Sequence, residues 1–200
     1  MEIFGVNARG ESAPLSATGL RIPLSSEAWA CLDFRRPSDS VLLVNAGWYR
    51  KNPAGNEFPS LALRPAAANR LMVDIHVGPT RTLPALEVFP VNAPEDRKAM
   101  SAMLSQTSSG DPLGERLLQD GTTGALDARE FRMACPGGGQ LKIELQATDP
   151  ATLRLALSVD LQEAPRLGVP SSVPQLLLQP NAANLVSLIV RTTTGVAIGP

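Results

Sequence analysis

His76 is the only imidazole in the chain, in the run Val73-Asp-Ile-His-Val77. A Ser-His-Asp or Cys-His relay would have to use it as the base. Asp74 lies two residues earlier, shares its strand parity and could orient the ring, while Val73, Ile75 and Val77 point the other way. No G-x-S-x-G elbow accompanies the pair. A polar Asp74–His76 pair on the outside of a strand is the simpler expectation. Paired carboxylates could hydrolyse glycosides without histidine. The candidates Asp33, Asp39, Glu57, Glu87 and Glu144 are scattered, and Glu87 and Glu144 fall at outward positions of alternating strands. Cys135-Pro-Gly-Gly-Gly139 lacks the P-loop lysine and the G-x-G-x-x-G spacing, and reads as a turn into the next strand. Asp120-Gly-Thr-Thr-Gly124 has one carboxylate and does not match a calcium loop. Two cysteines and one histidine fall short of the usual four zinc ligands. The expectation is therefore a protein that is not an enzyme, with no catalytic residue, cofactor or metal. Trp48-Tyr49-Arg50-Lys51 is the one aromatic-basic cluster. Trp48 and Tyr49 could contact a glycan or receptor, or Trp48 could close the end of a hairpin with Arg50 and Lys51 in solvent.

The 200 residues carry 18 Lys+Arg against 19 Asp+Glu, a net charge of −1 that leaves no basic footprint for nucleic acid. Hydrophobic residues, at 44%, suffice for a core, and charged residues, at 18%, fall below the usual share of roughly 25%. The first twenty residues include Glu2, Arg9 and Glu11 and no apolar h-region, so no secretory signal is expected. The run Leu185–Val190 is too short to span a bilayer. A chain made in the cytoplasm would keep Cys31 and Cys135 reduced, as small buried hydrophobes.

The clearest period is two. Leu141, Ile143, Leu145 and Ala147 alternate with Lys142, Glu144 and Gln146, and Leu153, Leu155, Leu157, Val159 and Leu161 share the apolar face of the next run. Asp149-Pro150 supplies the turn, and setting Leu145 opposite Leu155 keeps both apolar rows together. A looser hairpin joins Trp29–Phe34 to Val41–Ala46 through Pro37-Ser-Asp-Ser40. Further strands are expected at Leu61–Leu63, Leu71–Val77, Ala85–Phe89, Gln175–Leu178, Leu185–Val190 and Val196–Ile198, with Pro, Gly, Asn or Ser in most of the gaps.

An internal repeat connects these strands. LALRPAAAN (61–69) and LLLQPNAAN (176–184) match at six of nine positions, Asn69 aligning with Asn184 at an offset of 115. Each is followed by an apolar strand, and Ala85–Pro90 resembles Gly195–Pro200. The order strand, Pro turn, strand, L-x-L-x-P-x-A-A-N, strand occurs twice, as a duplication would produce. Proline cannot donate to a ladder, so pairing stops at Pro65 and Pro180, and the asparagines suit the turn that follows. Four segments are expected: an extended N-terminal arm over 1–20, a first β unit over 21–93, a partly helical connector over 94–130 and a second β unit over 131–200. After Glu163 only Arg166 and Arg191 are charged. The apolar residues of that segment need cover, and Leu176, Leu178, Leu185, Leu188 and Val190 are the candidate subunit interface.

The P-x-A-A-N-x-x-(L/V)-x-(L/V)-x-(V/I) pattern of Pro65–Ile75 and Pro180–Val190, followed by Gly195-Val-Ala-Ile-Gly199, resembles a strand pair of β-sandwich bacteriophage virion proteins. The arginine that often follows the asparagine is present as Arg70, and Leu185 replaces it in the second copy. The resemblance covers about thirty residues per copy. It implies a capsid, decoration or spike-type role, located in the virion, and brings no catalytic residue with it. The fold expected is all-β, with two related β-sandwich or jelly-roll-like units and a short helical connector. The function expected is a structural, self-associating shell component. Its partners would be further copies and other shell proteins, with no nucleic acid and no membrane span. A glycan- or receptor-binding β-sandwich module is the alternative.

Overall fold

The computed structural model describes residues 1–26, 28–50, 59–67, 69–91, 124–136, 138–160, 170–182 and 185–196. They form thirteen strands and no helix: β1 (Ile3–Val6), β2 (Ser12–Leu15), β3 (Gly19–Pro23), β4 (Ala28–Ser38), β5 (Val41–Arg50), β6 (Ser60–Ala67), β7 (Arg70–His76), β8 (Phe89–Val91), β9 (Glu130–Ala134), β10 (Gln140–Asp149), β11 (Thr152–Asp160), β12 (Pro170–Ala182) and β13 (Leu185–Val196). Sheet A has the order β2-β1-β9-β10-β11-β7-β6, and sheet B the order β12-β13-β5-β4-β3-β8. The alternating runs form the expected hairpins. In β10–β11, Leu145 faces Leu155 across the ladder, and Leu141, Ile143, Leu153, Leu157 and Val159 are buried beside them. The Ala151 N–H donates to Asp149 Oδ1 at 2.7 Å, which closes the turn at Pro150.

One apolar layer joins the two sheets. Leu20, Ile22, Leu32, Phe34, Leu42, Val44 and Leu188 of sheet B belong to the same core as Phe131, Met133, Ile143, Leu155, Val73 and Ile75 of sheet A. The architecture is β-sandwich-like, and the sheets do not correspond to the two halves of the chain. The β6–β7 hairpin leaves its own half to pair with β11, and β12–β13 leaves its half to pair with β5. The first twenty residues are not a free arm. β1 lies between β2 and β9, and Ile3 and Leu20 are fully buried, because their alternating side chains complete the inner face. Most of the expected connector lies outside the described residues, and its last residue, Glu130, begins β9.

Without β2, the two sheets read in the same order. Sheet A runs β1-β9-β10-β11-β7-β6, and sheet B runs β8-β3-β4-β5-β13-β12. Registers correspond as well: Leu63–Val73 matches Leu178–Leu188, and the ladder shifts between Pro65 and Ala67 as it does between Pro180 and Ala182. In this correspondence β8 answers to β1, so Phe89-Pro-Val91 matches Phe4-Gly-Val6 and not the stretch near Gly195.

Prolines mark the sheet edges. The four edge strands carry Pro14 (β2), Pro65 (β6), Pro90 (β8) and Pro170, Pro174 and Pro180 (β12). Among the inner strands, proline occurs only at the end of β3 (Pro23) and in the register break of β4 (Pro37). A paired proline sits where its nitrogen faces away from the neighbouring strand, so each edge loses an outward donor that an incoming strand would need.

Two outcomes follow. Leu155→Ala, in the second half, lowers stability by about 2–5 kcal/mol. Because the core is shared, the fluorescence of Trp29 and Trp48, both in the first half, follows the same shifted denaturation midpoint as circular dichroism; two separate transitions would contradict this. Replacing Pro14 by Thr together with Pro65 by Val restores outward donors on both edges of sheet A. Thioflavin T-positive aggregation then rises above that of the wild type, while the circular dichroism spectrum stays the same.

Candidate functional site

Sheet A turns a charged face to solvent. Arg154 Nε donates to Asp74 Oδ1 at 2.7 Å and its Nη2 donates to Oδ2 at 2.8 Å. Arg64 Nε approaches Oδ2 at 3.3 Å. The fork of Arg154 holds the Asp74 carboxyl below its ordinary range, against the opposing effect of burial, and Arg64 adds to this. Beside this group, Lys142 lies 3.0 Å from Glu130 and 2.8 Å from Glu144, Arg132 pairs with Glu130, and Arg70 reaches Glu144 at 3.8 Å. Burial works against the ionised form of Glu130, yet Lys142 and Arg132 hold its carboxyl below the usual range.

His76 does not meet Asp74 through a hydrogen bond that could orient it. Its Nδ1 lies 2.7 Å from the Thr152 hydroxyl. Thr152 hydrogen-bonds Asp149, the main cause holding that exposed carboxyl low, with the Ala151 N–H next. A catalytic relay would place the orienting carboxylate on Nδ1 and the nucleophile on Nε2. Here a buried hydroxyl occupies Nδ1, and both Asp74 oxygens face Arg154. Asp33 and Glu144 lie on opposite outer faces, Glu87 is exposed, and Glu57 is outside the described residues. Among the described residues no three His, Cys, Asp or Glu side chains are placed to hold a metal ion. No helix among them is long and apolar enough to cross a membrane.

Sheet B has a different outer face. Ser187 Oγ donates to Asn45 Oδ1 at 2.6 Å, Asn45 Nδ2 donates to Asp33 Oδ2 at 3.1 Å, and Arg35 Nε donates to the same oxygen at 2.6 Å. Ser187, Asn45 and Asp33 sit side by side on β13, β5 and β4, and all three are buried. In the adjacent row Leu177, Ile189 and Leu43 align across β12, β13 and β5; Ile189 and Leu43 are half-buried, and Leu177 is 38% exposed. On the other side Cys31 is buried, which pushes its thiol up to about 12, and the Arg21 guanidinium stands 5.1 Å from the centre of the Phe89 ring. Cys135, the other free cysteine, is also buried, and its thiol is pushed up to about 11. An open cleft of about 700 Å³ lies near one end of β3, lined by Pro23, Ser25, Ser26, Arg81, Thr82 and Pro84.

The residues singled out from the sequence separate. Trp48 is 6% exposed and faces the core, because its parity on β5 matches that of Val44 and Ala46. Tyr49 pairs with Trp29 along the backbone, and its side chain is outside the description. Leu188 and Val190 are core residues at 3% and 0% exposure, so their apolar character is satisfied within the chain. The side chains of Leu176, Leu178 and Leu185 lie outside the described residues, although their backbones pair within β12 and β13. The Ser187–Asn45–Asp33 row is assembled by strand pairing across distant parts of the chain. Its signal was a polar residue at the outward parity of each of three otherwise apolar strands. Compared with models of protein families, with curated proteins and with solved structures, the chain gives no match.

The Asp74–Arg154 pair sets an acid dependence. A carboxyl whose pKa is lowered on folding stabilises fully above its unfolded value of about 3.9, and that contribution disappears as pH falls through the lower folded value. Arg154→Met leaves a buried carboxylate short of its main partner and costs about 2–3 kcal/mol at neutral pH. In Asp74→Asn the acid-dependent part of the stability shrinks. Urea unfolding of the wild type and both variants between neutral pH and pH 3 checks this; identical pH slopes would refute it.

Proposed function

We propose that this protein is a structural, self-associating component of a shell or particle, acting through surface contacts and not through catalysis. The observation that carries this is the position of the charge-poor C-terminal segment. β12 and β13 form one end of sheet B, and Leu177 presents apolar surface to solvent there. The resemblance of Pro65–Ile75 and Pro180–Val190 to strands of β-sandwich virion proteins supplies the context of a virion, with further copies of the chain and other shell proteins as partners. The burial of Trp48 counts against a glycan- or receptor-binding module built on that ring.

The same proposal includes an origin by duplication. It is supported by the common strand order, by the register breaks at Pro65 and Pro180, and by EIFGVNA (2–8) against EVFPVNA (87–93). On this basis the two units begin at Glu2 and Glu87, and each lends its first strand and its last hairpin to the sheet of the other.

Sedimentation velocity of the full chain at micromolar concentration tests the proposal. Species larger than a monomer, with the fraction rising with concentration, are expected. A single monomeric species over the whole range, with no association with particles on fractionation, would count decisively against it.

A further inference from the structure

We propose that the surface the first half of the chain turns toward the second is a complete protein–protein interface whose partner is the second half itself. Cut between Val91 and Gly124, the two pieces stay together as one native complex. This goes beyond the self-association above and does not depend on it. In sheet A the strands β9, β10 and β11 of the second half stand between β1 and β7 of the first. Ile3–Val6 pairs with 130–133 on one side, and Arg70–His76 pairs with 152–158 on the other. In sheet B, residues 185–191 pair with 41–47. Among the described residues three ladders therefore run between the halves, and the second half is held on both sides within sheet A.

Polar bonds cross the same boundary. The fork of Arg154 meets Asp74, Ser187 Oγ donates to Asn45, and Asn69 Nδ2 donates to the Val159 carbonyl at 2.9 Å. At the turns, the Val77 N–H donates to the Ala151 carbonyl at 2.9 Å and the Leu83 N–H to the Pro150 carbonyl at 2.7 Å. Beneath them lies the single apolar core to which both halves contribute. The interface of a permanent complex resembles a domain core cut in two. Here the chain itself makes that division. The covalent link is not what sets the spacing of the halves. The Leu126 N–H donates to the Val88 carbonyl at 2.7 Å, Arg129 Nη2 donates to the Leu86 carbonyl at 2.6 Å, and the Val91 carbonyl accepts from the Thr18 N–H at 2.8 Å. The chain thus leaves the described fold and re-enters it at neighbouring points, each fixed by its own bonds. A link between points already held side by side acts on the pair through effective concentration.

The test uses the full chain with an N-terminal affinity tag and a specific protease site, flanked by flexible Gly-Ser linkers, inserted after Ser109. A second version carries the site after Gly121. Each is cut in native buffer at micromolar concentration. The second piece is expected to remain on the tagged first piece in equal amount, with the circular dichroism spectrum unchanged, and to come off only in urea. Release of the second piece in native buffer, from either version folded before the cut, would overturn the proposal. Failure of both uncut versions to fold would overturn it too, because the contacts between the halves would then not suffice. Sedimentation of the uncut chain reads self-association separately. A monomer there overturns the shell reading and leaves the paired halves standing.

Discussion

The apolar layer between the sheets is completed by side chains from both halves of the chain. Phe34, Val44 and Leu32 come from the Pro37 hairpin, and Leu188 and Val186 reach them from the far C-terminal hairpin. Leu145, Leu155 and Ile143 come from the Pro150 hairpin and are extended by Val73 and Ile75 of the first half. A half on its own would leave the inner face of its central hairpin open and its last hairpin unpaired. Fully burying a Leu or Phe side chain is worth about 1.5–3 kcal/mol, so each half gains stability from the side chains the other supplies. The crossing of β6–β7 and β12–β13 between sheets is thus the condition under which the core exists.

That condition also creates the edges. Each crossing hairpin ends up outermost, with β6 bordering sheet A and β12 bordering sheet B. A strand with one free side is a template for another chain, and long edges are the most exposed to it. The prolines of the L-x-L-x-P motif lie on these border strands, at equivalent places where the ladder also shifts register. They therefore have two effects at once: they interrupt the regular register, and they remove a donor from the open side. Pro14 and Pro90 likewise remove a donor from the open side on strands outside the motif, without a break in register. Among the described residues, most prolines lie at sheet borders and turns.

Much of the hairpin structure was legible because strand parity is stated directly by alternation. A slip of one residue in β10–β11 would set Leu145 against Arg154, so the sequence permits one register and the structure has it. The motif at Pro65 and Pro180 was legible for the same local reason. Short strands were not. β1, β2, β3 and β9 span four or five residues each, too few for a period to stand out, and their pairing depends on partners more than a hundred positions away in the case of β1 and β9. The exchange of hairpins between halves leaves no trace in either half alone, because β7 would be equally apolar beside β5 or β11. For the polar groups, alternation puts Asp74 and His76 on one row, and Arg154 enters that row through the β7–β11 register, which no local pattern encodes. Of the candidate interface, Leu188 and Val190 face inward, while Ile189, between them in β13, lies at the outward parity and is half-buried.

The two outer faces then show how one backbone supports two surface chemistries. Where sheet A has Glu144, Ala156 and Met72 in a row, sheet B has Asp33, Asn45 and Ser187. Glu144 keeps its charge in partial contact with water and shares it with Lys142 and Arg70. Asp33 is 1% exposed, and its Oδ2 accepts from Arg35 on one side and from the Asn45 amide on the other. The serine and the asparagine extend this bonding to β13 and tie the exchanged hairpin to the hairpin it joins. This polar row links three strands at one register through the Asp33 Oδ2 atom, while Asp33 Oδ1 is buried without a hydrogen-bond partner. On sheet A charge pairs join neighbouring strands at the surface, and on sheet B this buried row joins them from beneath it.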